Sequence, residues 1–393
     1  MTACPGCGAS DGAPVHHVER VPIHSCVPLR SAAAARVAAS GRIELVACGT
    51  CGLVHNAAFD ADRVDYGQDY EETQGFSPHF LGFLDELVDD LAARQDLSDA
   101  DVLEVGSGKG EFLVRLCART GARGLGIDPA WRDERRPADA PDHVRFERRA
   151  LGPDTVDDAD LVVCRHTLEH VADVATFLGW LRAAVRPGGR LVVEVPAAER
   201  ILAEGAFWDV YHEHVTYPTA EVLRDLAARS GLEVLDLQRV YDDQYLVLHA
   251  RPSASGADAP SPLASGAASG SAPAAGAFHE SVRRWGDWFA RRAEVGDRVV
   301  LWGAGSKAVA LVTTLGLDDV VVAATDVNPH KWGTFLPQSA HPVVAPRDLT
   351  ALAVDVVVAM NPVYVGEILA DLADLDLLLP VVPLTPEPPT ELR

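Results

Sequence analysis

Short apolar runs recur along the chain, and several of them end in glycine or in an acid. Val102, Leu103 and Val105 form one such run, closed by Gly106; Phe112, Leu113, Leu116 and Cys117 follow at helical spacing. A continuous apolar run predicts a strand buried on both faces, and recurrence at three and four residues predicts an amphipathic helix packed on it. The pattern repeats, with strands predicted at Gly124 to Ile127, Asp160 to Cys164 and Leu191 to Val195, and a helix from Val174 to Val185. A second series opens with strands at Arg298 to Trp302 and Val320 to Ala324. Alternation of strand and helix predicts α/β domains built on parallel sheets.

Two stretches break the pattern. Residues 66 to 80 (YGQDYEETQGFSPHF) are polar and aromatic and lead into an amphipathic helix ending near Arg94. Residues 252 to 276 are nearly all Ala, Ser, Gly and Pro, which cannot pack a core. Fully flexible, they would span about 25–30 Å root-mean-square. The expected organisation is an amino-terminal domain with a lid segment (1–80), a central domain (81–250), a flexible linker (251–277) and a second nucleotide-binding domain (278–393). Within the lid, Tyr70 and Ser77 are expected to point inward to substrate.

Glycines at the first strand-to-helix turn, Gly106, Gly108 and Gly110, let backbone pass close to a ligand and aim amide N–H groups at it. Asp128 ends the second strand, where an acid can accept hydrogen bonds from both ribose hydroxyls. Dinucleotide folds usually read G-x-G-x-x-G. The G-x-G-x-G spacing preceded by Glu104 resembles instead the first motif of class I S-adenosylmethionine (SAM)-dependent methyltransferases. The turn Pro187-Gly188-Gly189, expected before the fifth strand, adds to that resemblance.

The net charge of -23 argues against nucleic acid or an anionic membrane as the main partner. No apolar run reaches about 18 residues and no basic-then-apolar leader opens the chain, so a cytoplasmic protein acting on a small molecule is expected. Seven cysteines, an odd number, favour metal over a disulfide framework. Cys4-Pro5-Gly6-Cys7 and Cys48-Gly49-Thr50-Cys51 are two C-x-x-C knuckles that can close a tetrahedral zinc site. Four thiolates leave no open coordination position, so this zinc is expected to be structural.

Candidate chemistry lies at the ends of strands. Arg165-His166-Thr167-Leu168-Glu169-His170 follows the third central strand, where doubly wound folds place ligands, and His166 is a candidate cofactor contact. Residues 207–217 (FWDVYHEHVTY) are too polar for a core and too aromatic for an ordinary loop. A histidine oriented by a neighbouring acid and backed by tyrosine hydroxyls suits proton abstraction near neutral pH. In the last domain, Gly303-Ala304-Gly305-Ser306-Lys307-Ala308 with Asp326 beyond reads G-x-G-x-x-A, close to a dinucleotide fingerprint. No substrate domain for hydride transfer is apparent, so Lys307 and Asn328 are expected to hold a nucleotide-like part of a substrate.

With these residues in hand, nearly the whole chain resembles the NDP-hexose C-methyltransferases of antibiotic deoxysugar pathways, the mycarose-type 3-C-methyltransferases among them. The resemblance rests on the paired knuckles, on E-V-G-S-G-K-G, on Tyr211, Glu213 and His214 as Y-x-E-H, and on the carboxyl-terminal Rossmann-like domain. It implies that the last domain holds the substrate's nucleotide and that His214 and Tyr211 lie at the methylated carbon, with His170 and Tyr70 nearby. His214 is the expected base, Tyr211 stabilises the enolate and Glu213 orients the imidazole; His170 assists, shares the proton or is itself the base. The segments YEETQGFS, GAGSKA and NPHKWGTFLP mark a branch whose members need not all act on sugars. N-, O- or C-methylation of a non-sugar natural product is the enzymatic rival, and a zinc-ribbon scaffold the non-enzymatic one.

Overall fold

Short β-rich pairing dominates the first part of the chain, as its interval between two cysteine knuckles requires. The computed structural model describes residues 3–64, 67, 69–153, 158–254 and 271–391. Strand β1 (Gly12–Pro22) pairs antiparallel with β2 (Ser40–Cys48) across the short helix α1 (Ala32–Arg36), and β2 pairs with β3 (Val54–Asn56). The hairpin-like crossing brings the second knuckle back against the first.

The central part follows with α2 (Pro78–Arg94), capped by Ser77, then β4 (Asp101–Val105), α3 (Glu111–Thr120), β5 (Arg123–Ile127), β6 (Val144–Glu147) and β7 (Ala159–Arg165). Helix α4 (Val174–Ala183), β8 (Val185–Pro196), α5 (Ala198–Glu204), β9 (Thr216–Tyr217), α6 (Ala220–Arg229), β10 (Leu232–Val240) and β11 (Tyr245–Pro252) complete it. Seven strands form one sheet in the order β10-β11-β8-β7-β4-β5-β6. Strands β4 to β8 run parallel and β11 runs antiparallel to β8, which is the class I methyltransferase fold. The strand order reverses between β4 and β7, and that crevice is where open α/β sheets bind ligands.

Two boundaries differ from the sequence expectation. Helix α4 stops at Ala183, and Pro187-Gly188-Gly189 is a bulge inside β8 rather than a turn ahead of it. Pairing skips from Ala159 opposite Val185 to Leu161 opposite Arg190, with Gly188 at φ +86° absorbing the extra residues. The two-residue β9 leaves the central sheet altogether and pairs with β3, Val54 opposite Tyr217, so the polar-aromatic segment completes the amino-terminal sheet.

The last part contains α7 (Ser271–Val295), β12 (Val299–Trp302), α8 (Ser306–Leu315), β13 (Val321–Thr325), β14 (Thr334–Phe335), β15 (Pro342–Val344), β16 (Val356–Ala359), α9 (Val365–Asp374) and β17 (Val381–Pro383). Its sheet has the order β14-β15-β13-β12-β16-β17, parallel except for the edge strand β14. Helix α7 begins inside the stretch expected to be linker. Apolar positions recruit that end of it: Ala274 and Phe278 are buried, and Phe278 stacks on His16 of β1. Most of the remaining low-complexity stretch, residues 255–270, lies outside the described residues.

One apolar core joins the first and last parts. It runs from Ile43 and Leu45 of the amino-terminal sheet through Phe207 and Trp208 to Trp285, Trp288 and Phe289 of α7 and on to Val299 and Leu301. The segment after α5 is therefore clamped between the two end domains. Among the described residues no helix is long and apolar enough to cross a membrane.

Candidate active site

The carboxyl ends of both parallel sheets open into a single cavity of about 570 Å³. Its wall takes the loops after β4, β5, β7 and β8 on one side and those after β12, β13 and β16 on the other. Residues 70–77 cross between the two sides. A cavity of this size falls within the range of ligand sites and is largely preformed by rigid strands.

The glycine loop is built for close approach. Gly106, Gly108 and Gly110 all have positive φ (+72°, +53° and +83°), a region other residues adopt at a cost. A Cβ on Gly106 would lie 1.9 Å from Thr167 Oγ1, and one on Gly108 would lie 2.9 Å from Glu72. Gly106 and Gly108 line the cavity. Gly110 does not; it starts α3, and a Cβ there would strike the Phe146 ring. Its part is to seat the loop. Asp128 reaches back to the same loop, accepting from Gly108 N–H at 2.9 Å and Ala130 N–H at 2.7 Å. Glu104 is buried beneath, one oxygen without a hydrogen-bond partner, and burial holds its carboxyl up at about 8. A buried carboxyl with one open oxygen, and an acid at the end of the second strand beside the glycine loop, suit a ligand carrying an ammonium and a ribose, as SAM does.

His166 sits just past β7 at φ +46°. Its Nε2 lies 2.8 Å from Glu194, within ion-pair distance but off-line for a hydrogen bond, and its Nδ1 lies 3.4 Å from Glu169. Burial pushes this imidazole down, but Glu194 and Glu169 outweigh it and lift its pKa to about 9. His166 is therefore a cation facing the cavity, with Arg165 sharing Glu194 behind it at 2.7 Å.

The segment from Asp209 to Tyr217 places three expected residues very differently. Tyr211 and His214 line the cavity, with ring centroids 4.8 Å apart. The Tyr211 hydroxyl donates to Asp209 at 3.2 Å, and burial followed by that carboxylate raises its pKa well above the usual value. Asp209 is buried, yet Lys307 at 2.6 Å and Arg200 keep it ionised. His214 is held down at about 4 by burial and by neighbouring His170. Glu213, expected as the orienting acid, faces the other way. It does not line the cavity and instead accepts from the Ser25 hydroxyl and contacts His24 at 3.4 Å. Adjacent residues in an irregular segment point in opposite directions, and here the amino-terminal domain claims Glu213.

His170 follows β7 in a single 3-10 turn (Leu168–His170), and its Nδ1 lies 3.1 Å from the Glu213 carbonyl. A carbonyl only accepts, so Nδ1 carries a hydrogen in this contact. The acid that does lie beside these imidazoles is Glu169, which sequence reasoning missed. Its position one residue before His170 at a strand end was the available signal.

Four further expectations concern the cavity's far side. Tyr70 lines it, and its carbonyl accepts from Lys109 at 2.7 Å. Ser77 touches it too, but its hydroxyl caps α2 and donates to Glu367 at 2.8 Å, so its part is to join helix and domain rather than bind substrate. Lys307 is present but paired with Asp209. Asn328 donates to Glu71 at 2.9 Å while its own oxygen accepts from His330 N–H. The acid of the G-x-G-x-x-A fingerprint, Asp326, is occupied by Ala304 N–H at 2.8 Å and by Lys331 at 3.0 Å. It is not poised for a nicotinamide ribose.

Away from the cavity, the sulfurs of Cys4 and Cys51 lie 3.6 Å apart, as do those of Cys7 and Cys48, and all four fall within 4.8 Å of one another. Zn–S bonds of about 2.3 Å imply a tetrahedral edge of roughly 3.8 Å, so the four thiols fit zinc. Gly6 and Leu53 pack this knuckle onto Leu226 of α6.

Comparison with known proteins agrees with the cavity. A methyltransferase-domain family model matches residues 77–237, and a model described as the C-methyltransferase C-terminal domain matches residues 279–376. C-methyltransferase NovU of Streptomyces niveus is 26% identical over 351 residues, covering 83% of this chain and 82% of that protein. A ubiquinone biosynthesis O-methyltransferase of Rhizobium etli is 29% identical over 218 residues, covering 45% of this chain and 86% of that one. The protein is a SAM-dependent methyltransferase with a C-methyltransferase domain at its carboxyl end.

Proposed function

We propose that the enzyme methylates carbon alpha to a carbonyl, on a nucleotide-linked keto-deoxysugar of natural-product biosynthesis. The observation that carries this reading is the grouping of His214, His170 and Tyr211 in the same cavity as the glycine loop. N- and O-methylation of a nucleophile already present needs less acid/base equipment, because no C–H bond has to be ionised first. Carbon becomes nucleophilic only after a proton is removed.

Gly106, Gly108, Glu104 and Asp128 would hold SAM, which supplies an electrophilic methyl group. His214, uncharged at neutral pH, accepts the alpha proton. The C–H electron pair becomes an enolate, its oxygen stabilised by the Tyr211 hydroxyl once this turns from Asp209. Donors fixed in a cavity stabilise developing charge without reorganising. The loops at 303–307 and 326–331 would receive the nucleotide, with Lys307 and Asn328 as its contacts and Tyr70 near the sugar. Cys4, Cys7, Cys48 and Cys51 would bind a structural zinc.

Incubating the pure protein with methyl-labelled SAM and a panel of nucleotide-linked 4-keto sugars tests the reading. Label on a carbon adjacent to the carbonyl is the expected result. Label only on oxygen or nitrogen, or only with non-sugar ketones, rejects it.

A further inference from the structure

Glu169 is 1% exposed and is grouped with two of the three cavity histidines, His170 and His214. Its backbone carbonyl accepts from Val215 N–H at 2.7 Å, which ties the end of β7 to the segment carrying His214. One carboxylate oxygen lies 3.4 Å from His166. The other, Oε2, is buried and has no hydrogen-bond partner among the described residues, and the same holds for His214 Nδ1. One donor atom each from Glu169, His170 and His214 lie within 4.8 Å of one another. Two buried polar atoms left open in one small space are costly unless a charge appears there during function.

We propose that Glu169 is the positioning carboxylate of the base: it receives the positive charge that develops on His214 when that imidazole takes the substrate's alpha proton. The inference rests on the base reading above and adds the residue that makes it workable. A desolvated imidazole resists protonation unless a counter-charge is ready. Glu213 is not that counter-charge, since Ser25 and His24 occupy its carboxylate. The groups acting on His214 are His170, His166, Glu169 and Glu213, with the Tyr211 and Tyr217 rings closing the sides. The two other imidazoles oppose its charge, so an ionised Glu169 is the inward-facing group that favours it. Glu169 takes no proton itself. The alpha proton passes to the imidazole, the C–H pair forms the enolate, the enolate carbon takes the methyl as its bond to sulfur breaks, and the imidazolium later releases its proton to water.

The test uses the full chain and three variants, Glu169→Gln, Glu169→Asp and His214→Ala. Histidine NMR titration of the substrate-free protein should show the His214 signal titrating lower in Glu169→Gln than in wild type. Alpha-hydrogen exchange with nucleotide-linked 4-keto sugars in D2O should fall about 10- to 1,000-fold, because an opposite charge at this range is worth one to three pKa units. Glu169→Asp should recover part of the rate, and SAM affinity by calorimetry should hold in both. An unchanged titration and rate in Glu169→Gln overturns the proposal. Equal loss of SAM affinity and exchange overturns it too, by assigning Glu169 a structural part. So does exchange that disappears on metal removal and returns with Co2+, since Glu169, His170 and His214 would then be ligands. If His214→Ala still exchanges, the base reading itself has failed, whatever Glu169→Gln does.

Discussion

His170 stands edge-on to His214, the ring centroids 4.7 Å apart and the planes at 89°. Burial, and then this neighbour, keep His214 in the neutral form down to about pH 4. The exchange rate should therefore hold between pH 7 and 5, where an ordinary imidazole base loses activity near 6.5. Stability moves the other way. Between about 4 and 6.5 the unfolded chain binds a proton at this residue and the folded chain does not, so folding weakens as pH falls through that window. Replacing His214 with alanine should cut exchange about 10²–10⁴-fold and leave SAM binding intact. Wild-type exchange in His214→Ala with loss in His170→Ala would exchange the two roles.

The cysteine cluster predicts about one zinc per chain, read by metal analysis of tag-free protein. The four sulfurs sit at the contact between the amino-terminal sheet and α6, so metal there is coupled to the docking of that domain. Cys48→Ser should lower solubility and melting temperature before it lowers the rate per folded molecule. Zinc-free protein with unchanged melting would reject the assignment.

Where a side chain's direction follows from a regular element, the sequence already discloses it. Gly106, Gly108 and Asp128 sit at the ends of apolar strands, and strand ends in a doubly wound sheet face the ligand whatever the rest of the chain does. The Glu213 and His214 pair shows the limit. Between Val210 and Val215 no helix or strand fixes a period, so only packing against Ser25 and His24 decides which residue turns inward. The same holds for Ser77: its place directly before Pro78 at the head of α2 marks a helix cap as readily as a substrate contact, and the cap is what forms. Asp326 looked like a ribose acceptor because its partner Lys331 is recruited by a local turn that periodicity does not reveal. Nothing in the alanine-rich stretch before Phe278 announced helix α7, whose start is held by burial against β1 and α5.

Glu104 supplies a prediction about cofactor binding. Its carboxyl, held near 8 by burial, is mostly protonated at pH 7 in the unliganded cavity. An ammonium group arriving beside it favours the carboxylate, so SAM binding at pH 7 should release a fraction of a proton. Calorimetry in buffers of different ionisation enthalpy measures that release, which should vanish in Glu104→Gln. Asp128→Ala should weaken SAM by about 1.5–3 kcal/mol per charged hydrogen bond lost. Unchanged affinity would place SAM elsewhere.

Lys109 fastens the segment that covers this site. It is 5% exposed, and its ammonium donates to the Tyr70 carbonyl at 2.7 Å and to Glu72 at 3.0 Å. Thr73 adds a bond to Glu111 at 2.6 Å, and Gln74 accepts from Tyr364 of the last domain at 2.6 Å. The strap thus spans from the glycine loop to the far wall, so loosening it is expected to ease ligand exchange. Glu72 is 34% exposed, but into the cavity rather than to bulk solvent, and burial lifts its pKa to about 6. As pH falls through 6 the carboxylate is neutralised and the Lys109 pair weakens. Lys109→Met should therefore raise the SAM dissociation rate more than it lowers the association rate, and should speed proteolysis within 70–77 even with SAM bound. Wild type at pH 5 should move part of the way toward the variant, while the variant's own dissociation rate should stay flat through pH 6. If stopped-flow measurement finds equal dissociation rates for the two proteins at pH 8, the strap is not what retains the cofactor.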